Sequence, residues 1–199
     1  MPATKLRTRI IAQNFISSSG MYRDITIPWQ NVYLASASIN GAAASQQIIQ
    51  VGGSQTALRM AFASQACPIW LSVPVPQDVA LRGETAAAGS GLLFVDWTDI
   101  TNAGGVTVWG ASVFHVPPGS AIGDAGTSTL GAAASTTFSA ATASELNQSN
   151  ALSFNAPVNR NGQFALRFVY HGQNASNTTA SDFGLFGFRL RYLADRIGS

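Results

Sequence analysis

A chain of 199 residues has room for one large β-domain or two small ones, so its core needs no disulfide or metal to hold it. Hydrophobic residues make up 46% of the chain and charged ones only 10%, against about 25% in an ordinary soluble domain, and the net charge is +2. Such a balance argues against a protein that works through a strong field, and leaves a surface of Ser, Thr, Asn, Gln, Gly and Ala that is cheap to desolvate.

At the N-terminus, Lys5, Arg7 and Arg9 are interleaved with Leu6, Thr8, Ile10 and Ile11. Nucleic-acid arms carry blocks of about five or more like charges, whereas this alternation reads as an amphipathic strand at 6–11 within an N-terminal strand segment 1–23. Nucleic acid is therefore not an expected partner. A second strand is expected at 25–35, with Pro28 marking an edge or an end, and a third at 47–51. Next, Leu58, Met60 and Phe62 alternate with Ala57, Arg59 and Ala61, which predicts a strand with one buried side and an arginine on the other. A strand over 69–75 is confined to an edge or end by Pro74 and Pro76.

Residues 92–97 and 106–116 carry bulky side chains at both parities, as central strands covered on two sides do. The turn composition of Thr101-Asn102-Ala103-Gly104-Gly105 between them predicts a hairpin over 92–116. Pro117-Pro118-Gly119 then opens a long loop, 119–148, with one short helical turn near 140–146. Strands follow at 152–155 and 163–170, the latter with Phe164, Leu166, Phe168 and Tyr170 inward and Arg167 outward. The last strand, 183–193, sets Phe186, Phe188, Leu190 and Tyr192 against Gly187, Arg189 and Arg191. No fixed repeat or linker divides the chain. The pattern predicts a single all-β domain, an antiparallel two-sheet sandwich of jelly-roll type, with an up-and-down β-barrel as the alternative.

Little in the chain supports catalysis. Cys67 is the only cysteine, so neither an intrachain disulfide nor a cysteine metal cluster can form, and its place before Pro68 reads as core. His115 and His171 stand far apart and read as half-buried strand residues rather than metal ligands. No phosphate-binding loop, nucleophile elbow, dinucleotide fingerprint or zinc-protease motif occurs. Asp96 and Asp99 are the nearest carboxylate pair, but three residues apart on one strand they face opposite sides. Asp99 is expected in a turn and Asp96 against an arginine or backbone donors. The expectation is a protein with no catalytic residues, no metal and no cofactor.

Binding candidates are clearer. Lys5 is the lone lysine, and arginine's planar fork suits buried contacts, so outward Arg59, Arg167, Arg189 and Arg191 are candidate interface residues within a homo-oligomer, with a trimer expected. Most of the four tryptophans read as core from the area each buries; Trp97 and Trp109 flank the expected hairpin turn, while Trp29 and Trp70, next to prolines near strand ends, are candidates for stacking on a ligand. No apolar run reaches the ~18 residues of a membrane span, and the N-terminus has no apolar stretch of signal-peptide kind.

Few charges, Gly/Ala/Ser/Thr/Asn loops, alternating aromatic strands and the terminal Phe186-Gly187-Phe188-Arg189-Leu190-Arg191-Tyr192 strand together resemble the small β-sandwich structural proteins of tailed-phage virions, of capsid decoration or cement type. The resemblance implies a non-enzymatic protein made in the host cytoplasm without a signal peptide. It would be located in the virion, with the major capsid protein or other virion proteins as partners and no membrane. A receptor- or carbohydrate-binding, lectin-like domain of a tail or head fibre is the first alternative. A jelly-roll coat protein is the second.

Overall fold

The computed structural model describes residues 21–31, 46–51, 53, 55–61, 67–82, 86, 88–101, 105–120, 128–139 and 145–195. Its strands are β1 (Met21–Pro28), β2 (Gln46–Val51), β3 (Gln55–Met60), β4 (Cys67–Pro74), β5 (Gly91–Asp99), β6 (Val106–Val116), β7 (Ser128–Ser139), β8 (Asn147–Gln148), β9 (Leu152–Phe154), β10 (Gln163–Tyr170) and β11 (Phe183–Ala194). A short 3-10 turn, Trp29–Asn31, follows β1.

The strands form two antiparallel sheets. Sheet A runs β2-β3-β11-β5-β8; β1 shares one edge of β11 with β3, and β9 shares the outer edge of β5 with β8. Sheet B runs β4-β10-β6-β7. From β3 onward, β4, β6, β7 and β10 lie in sheet B and the remaining strands in sheet A, in the pair orders β3-β11-β5-β8/β9 and β4-β10-β6-β7. That interleaving is the jelly-roll order, with β1 and β2 added to one sheet, and its open edges exclude the closed barrel.

Period-two alternation builds the core from both inner faces. Sheet A contributes Leu93, Val95, Trp97, Phe183, Phe188 and Leu190, and sheet B contributes Ile69, Trp109, Phe164, Leu166, Phe168 and Tyr170, all essentially without solvent exposure. Aromatic rings close the gap between the sheets: Phe168 lies 5.4 Å from Phe183 and 5.6 Å from Phe188, and Tyr170 stacks on Phe183 at 5.1 Å. Trp97 and Trp109 are both core residues.

Several sequence expectations need correction. The strands of the expected 92–116 hairpin do form, but β5 belongs to sheet A and β6 to sheet B, so the two do not pair as a hairpin. A turn composition specifies a reversal and says nothing about which sheet receives the next strand. The expected loop 119–148 contains the 12-residue strand β7, paired along β6, and the short strand β8. Its Ala, Ser, Thr and Gly offer no large-apolar alternation to read. In β11 the register slips between Leu185 and Gly187, so Phe183, Leu185 and Phe188 all face the core and Phe186 is only half-buried. Outside this bulge the expected parity holds.

The outer side of β5 is half-buried rather than covered, whereas β6 is buried at nearly every position. The strand expected at 25–35 begins at Met21 and ends at Pro28. Pro74 likewise ends β4, an edge strand. Of the N-terminal strand 1–23, only Met21–Arg23 fall among the described residues, where they open β1. The side chains of Phe62 and Cys67, and residues 140–144 of the helical turn expected at 140–146, lie outside the described part; 145 and 146 are not helical.

Candidate functional site

The outer face of sheet A is where polar side chains gather. In β1 the buried or half-buried Arg23, Ile25 and Ile27 alternate with exposed Tyr22, Asp24 and Thr26, so the latter three share the outer face. Strand register extends this into rows across the sheet. Tyr22 pairs with Leu193; Asp24 with Arg191, then Leu92, then Ser153; Thr26 with Arg189, then Phe94; and Gly187 with Asp96, then Gln148. Successive rows are about 7 Å apart and strands about 4.8 Å apart, so the face spans about 20 Å from Tyr22 to Gln148 along the strands.

Close approach of β1 to β11 makes the face continuous. A Cβ at Gly187 would stand 2.7 Å from the carbonyl oxygen of Ile27, so only glycine lets β1 pair there. At the end of β1, Trp29 Nε1 donates to Thr56 O at 2.9 Å and ties β1 to β3.

The charged groups form one connected chain. Arg191 donates from Nε and an Nη to the two oxygens of Asp24 at 2.7 and 2.9 Å, a bidentate pair. Arg189 reaches the same carboxylate at 3.7 Å and donates to Gln148 Oε1 at 2.9 Å, and Gln148 Nε2 donates to Asp96 Oδ1 at 2.8 Å. Because arginine can only donate, Gln148 Oε1 is the atom that faces Arg189, which turns Nε2 toward Asp96 and fixes the carboxamide in one orientation. Below them, the Phe94 ring lies 4.6 Å from the Arg189 guanidinium and 5.6 Å from that of Arg191, a floor that restrains both. The hydrogen bonds from Arg191 hold the Asp24 carboxyl below the usual carboxylate range; partial burial opposes them, and the charges of Arg191 and Arg189 add to them. Asp24 in turn holds Arg191 above its usual value. At the far end Tyr22 is 55% exposed, a large aromatic surface beside this ordered polar array.

The four arginines expected at an interface are placed differently from one another. Arg189 and Arg191 come together on this face, Arg59 pairs with Asp182 at 2.7 Å, and Arg167 lies over the Trp70 ring at 5.9 Å on the outer side of sheet B. Arg59, Arg189 and Arg191 thus have acceptors within the chain. Trp70 is half-buried against Phe114 at 5.5 Å, and Trp29 packs on the core, so neither candidate stacking residue offers an open ring like that of Tyr22.

The carboxylate pair is separated as strand parity requires. Asp96 is on the outer face, held by a glutamine instead of an arginine or backbone donors, because β8 pairs there and brings Gln148 across. Asp99 is not in a turn; it is the last residue of β5 and has no exposure, since the crossover to sheet B begins only after it. His115 is fully buried, with Nε2 2.9 Å from Asn161 O, and His171 follows β10 in a connecting segment. Among the described residues no three His, Cys, Asp or Glu side chains come together as metal ligands would.

Sequence reasoning missed Tyr22, Asp24, Thr26, Phe94, Gln148 and Ser153 as parts of one surface. The alternation in Tyr22-Arg23-Asp24-Ile25-Thr26-Ile27 was the available signal for the first three.

No family model matches the chain, and no curated protein matches it. Among solved structures it is similar to the CBM27-1 of Caldicellulosiruptor saccharolyticus in complex with mannohexaose, at 9% identity and TM-score 0.40 over 88% of this chain and 99% of that one. It is also similar to the CBM22-1 xylan-binding domain of Paenibacillus barcinonensis Xyn10C, at 10% identity and TM-score 0.41 over 89% and 98%. A chain of infectious bursal disease virus is similar at 15% identity and TM-score 0.36, over 89% of this chain and 33% of that one.

Proposed function

We propose that the chain is a non-catalytic binding domain that takes carbohydrate on the outer face of sheet A. The observation that carries this reading is the exposed Tyr22 ring at the end of the polar array Asp24, Arg191, Arg189, Gln148 and Asp96. A sugar presents an apolar C–H face that stacks on an aromatic ring and a rim of hydroxyls that both donate and accept. Carboxylates, guanidiniums and carboxamides in fixed orientation meet that rim with paired hydrogen bonds. Since the charges already neutralise one another, a ligand need not strip an isolated ion of water. The surface is an open sheet face, suited to an extended chain laid along it. Affinity electrophoresis against a panel of soluble neutral and acidic polysaccharides tests the reading: retardation by at least one, lost in Tyr22→Ala, supports it, and uniform mobility across the panel rejects it.

A second reading is a virion structural role, as a capsid decoration protein or a coat protein, in a homotrimer. It is supported by the low charge and by the uncharged, proline-free strand β7 at the edge of sheet B, which suit burial against neighbours. Its test is co-sedimentation with capsids at a stoichiometry set by a symmetry axis, together with light scattering; a monomer that stays in the supernatant rejects it.

A further inference from the structure

Beyond the Asp96 end of β5, residues 171–182 join β10 to β11 and contact Ile100, Thr101 and Val106 between β5 and β6. We propose that this segment is an acid-tightened latch, and that the protonation state of Asp99 beneath it sets how firmly it is held.

The latch is docked by its backbone. Thr178 N donates to Val106 O at 2.8 Å while Val106 N donates to Thr178 Oγ1 at 2.8 Å. Ile100 N donates to Asp182 O at 2.9 Å, and Thr101 N to Ser181 Oγ at 3.1 Å. A Cβ at Gly105 would stand 2.7 Å from Thr179 N, so the two segments touch backbone to backbone. Ala180 is held in the left-handed region at φ 47°, a strained conformation for a residue with a Cβ, which the docking contacts must maintain.

Asp99 lies under these contacts without exposure, and among the described residues its carboxylate receives one side-chain donor, Thr107 Oγ1, 2.9 Å from both oxygens. A hydroxyl has a single proton, so the direction of each bond in the cluster follows from the state of Asp99. With Asp99 neutral, its O–H donates to Thr107, Thr107 to Thr179 Oγ1 at 3.4 Å, Thr179 to Asn177 Oδ1 at 2.9 Å, Asn177 Nδ2 to Tyr170 Oη at 3.3 Å, and Tyr170 to Ser181 O at 2.6 Å. This relay joins sheet A, sheet B and the latch. With Asp99 ionised, Thr107 must turn its proton to the carboxylate. Thr179 then has one proton for two acceptors, Thr107 Oγ1 and Asn177 Oδ1, so one bond of the relay that fixes the latch is lost.

Burial lifts the Asp99 carboxyl to about 6, with the Thr107 hydrogen bond pulling the other way. The ionisable groups on the elements packed around it are Tyr170 at the end of β10, His171 at the start of the latch, and Asp182, which Arg59 on β3 neutralises. His171 is held below its ordinary value by burial and then by Arg167. The signs differ. An acid raised in the fold stabilises fully below its unfolded value near 4 and loses that contribution as pH rises through about 6, whereas a lowered histidine destabilises as pH falls.

The test is hydrogen exchange at Ile100, Thr101 and Thr178, corrected for intrinsic rates, in the whole chain. Protection should fall by about tenfold or more between about pH 5 and about pH 7.5. Asp99→Asn, whose carboxamide can donate to Thr107 at every pH, should keep the low-pH protection throughout, and His171→Gln should retain the wild-type profile. Equal protection at both pH values, or an Asp99→Asn profile like the wild type, overturns the proposal. Should the variant fail to fold, the carboxyl carbon shift of Asp99 in the unmodified protein decides: titration near 6 supports the latch, and titration below about 4 overturns it.

Discussion

Replacing Phe168 by alanine removes the ring on which the two sheets meet. Phe168 has no solvent exposure; it lies 5.4 Å from Trp109 in its own sheet and 5.4 and 5.6 Å from Phe183 and Phe188 in the other. Phenylalanine-to-alanine changes in a core cost about 3–5 kcal/mol, the transfer of the ring plus the cavity it leaves. Three aromatic partners on opposite walls cannot close that cavity without moving a strand, which places the expected loss near about 4 kcal/mol. In a chain of this size such a loss lowers Tm by about 8–16 °C. Urea denaturation with linear extrapolation, checked by calorimetry, measures it, and an unchanged slope certifies that the denatured state is the same. Phe186→Ala, outside the core because of the bulge in β11, should cost clearly less. A Phe168→Ala loss under about 1 kcal/mol would mean that the sheets do not close through this column of rings.

Two further substitutions probe the binding face. Gly187→Ala drives a methyl group against the Ile27 carbonyl, so we expect about 1–3 kcal/mol of destabilisation together with loss of exchange protection along β1; retained protection would contradict the close approach. Asp24→Ala removes an ion pair whose members are about one-third exposed, so it should cost no more than about 1 kcal/mol of stability. Because its carboxyl is held low by Arg191, the contribution of Asp24 is present above about pH 4 and lost as pH falls through the lowered value, so wild type and variant should converge in acid; divergence there would contradict the pairing.

Local pattern carried the fold further than it carried the site. Alternating Phe164, Leu166, Phe168 and Tyr170 places the inner face of β10 correctly, because one buried face imposes period two on its residues. Nothing comparable marks β7, whose small residues gain their strand from pairing with β6, nor the crossover after Asp99, where the same turn residues would serve a hairpin. The bulge at Phe186 depends on how β11 meets β5, which no single strand encodes. The binding face is hidden for the same reason. Asp24 and Arg191 are separated by 167 positions and meet only through register, and Gln148 arrives from a segment with no strand signal. Arg189 and Arg191 were visible as outward arginines, but their partners were not. Trp29 and Trp70 drew attention by residue type, while the open ring belongs to Tyr22, which the alternation of β1 alone could have placed outward.

Isothermal titration with the polysaccharide retained most strongly, comparing the unmodified chain with Tyr22→Ala, Arg191→Ala and Arg59→Ala, tests carbohydrate binding at this face most directly. Stacking and paired hydrogen bonds at the site predict that Tyr22→Ala and Arg191→Ala each weaken binding by about tenfold or more while Arg59→Ala, elsewhere on sheet A, leaves it unchanged. Binding that is indifferent to Tyr22 and Arg191, or absent for every polysaccharide tested, would contradict the assignment.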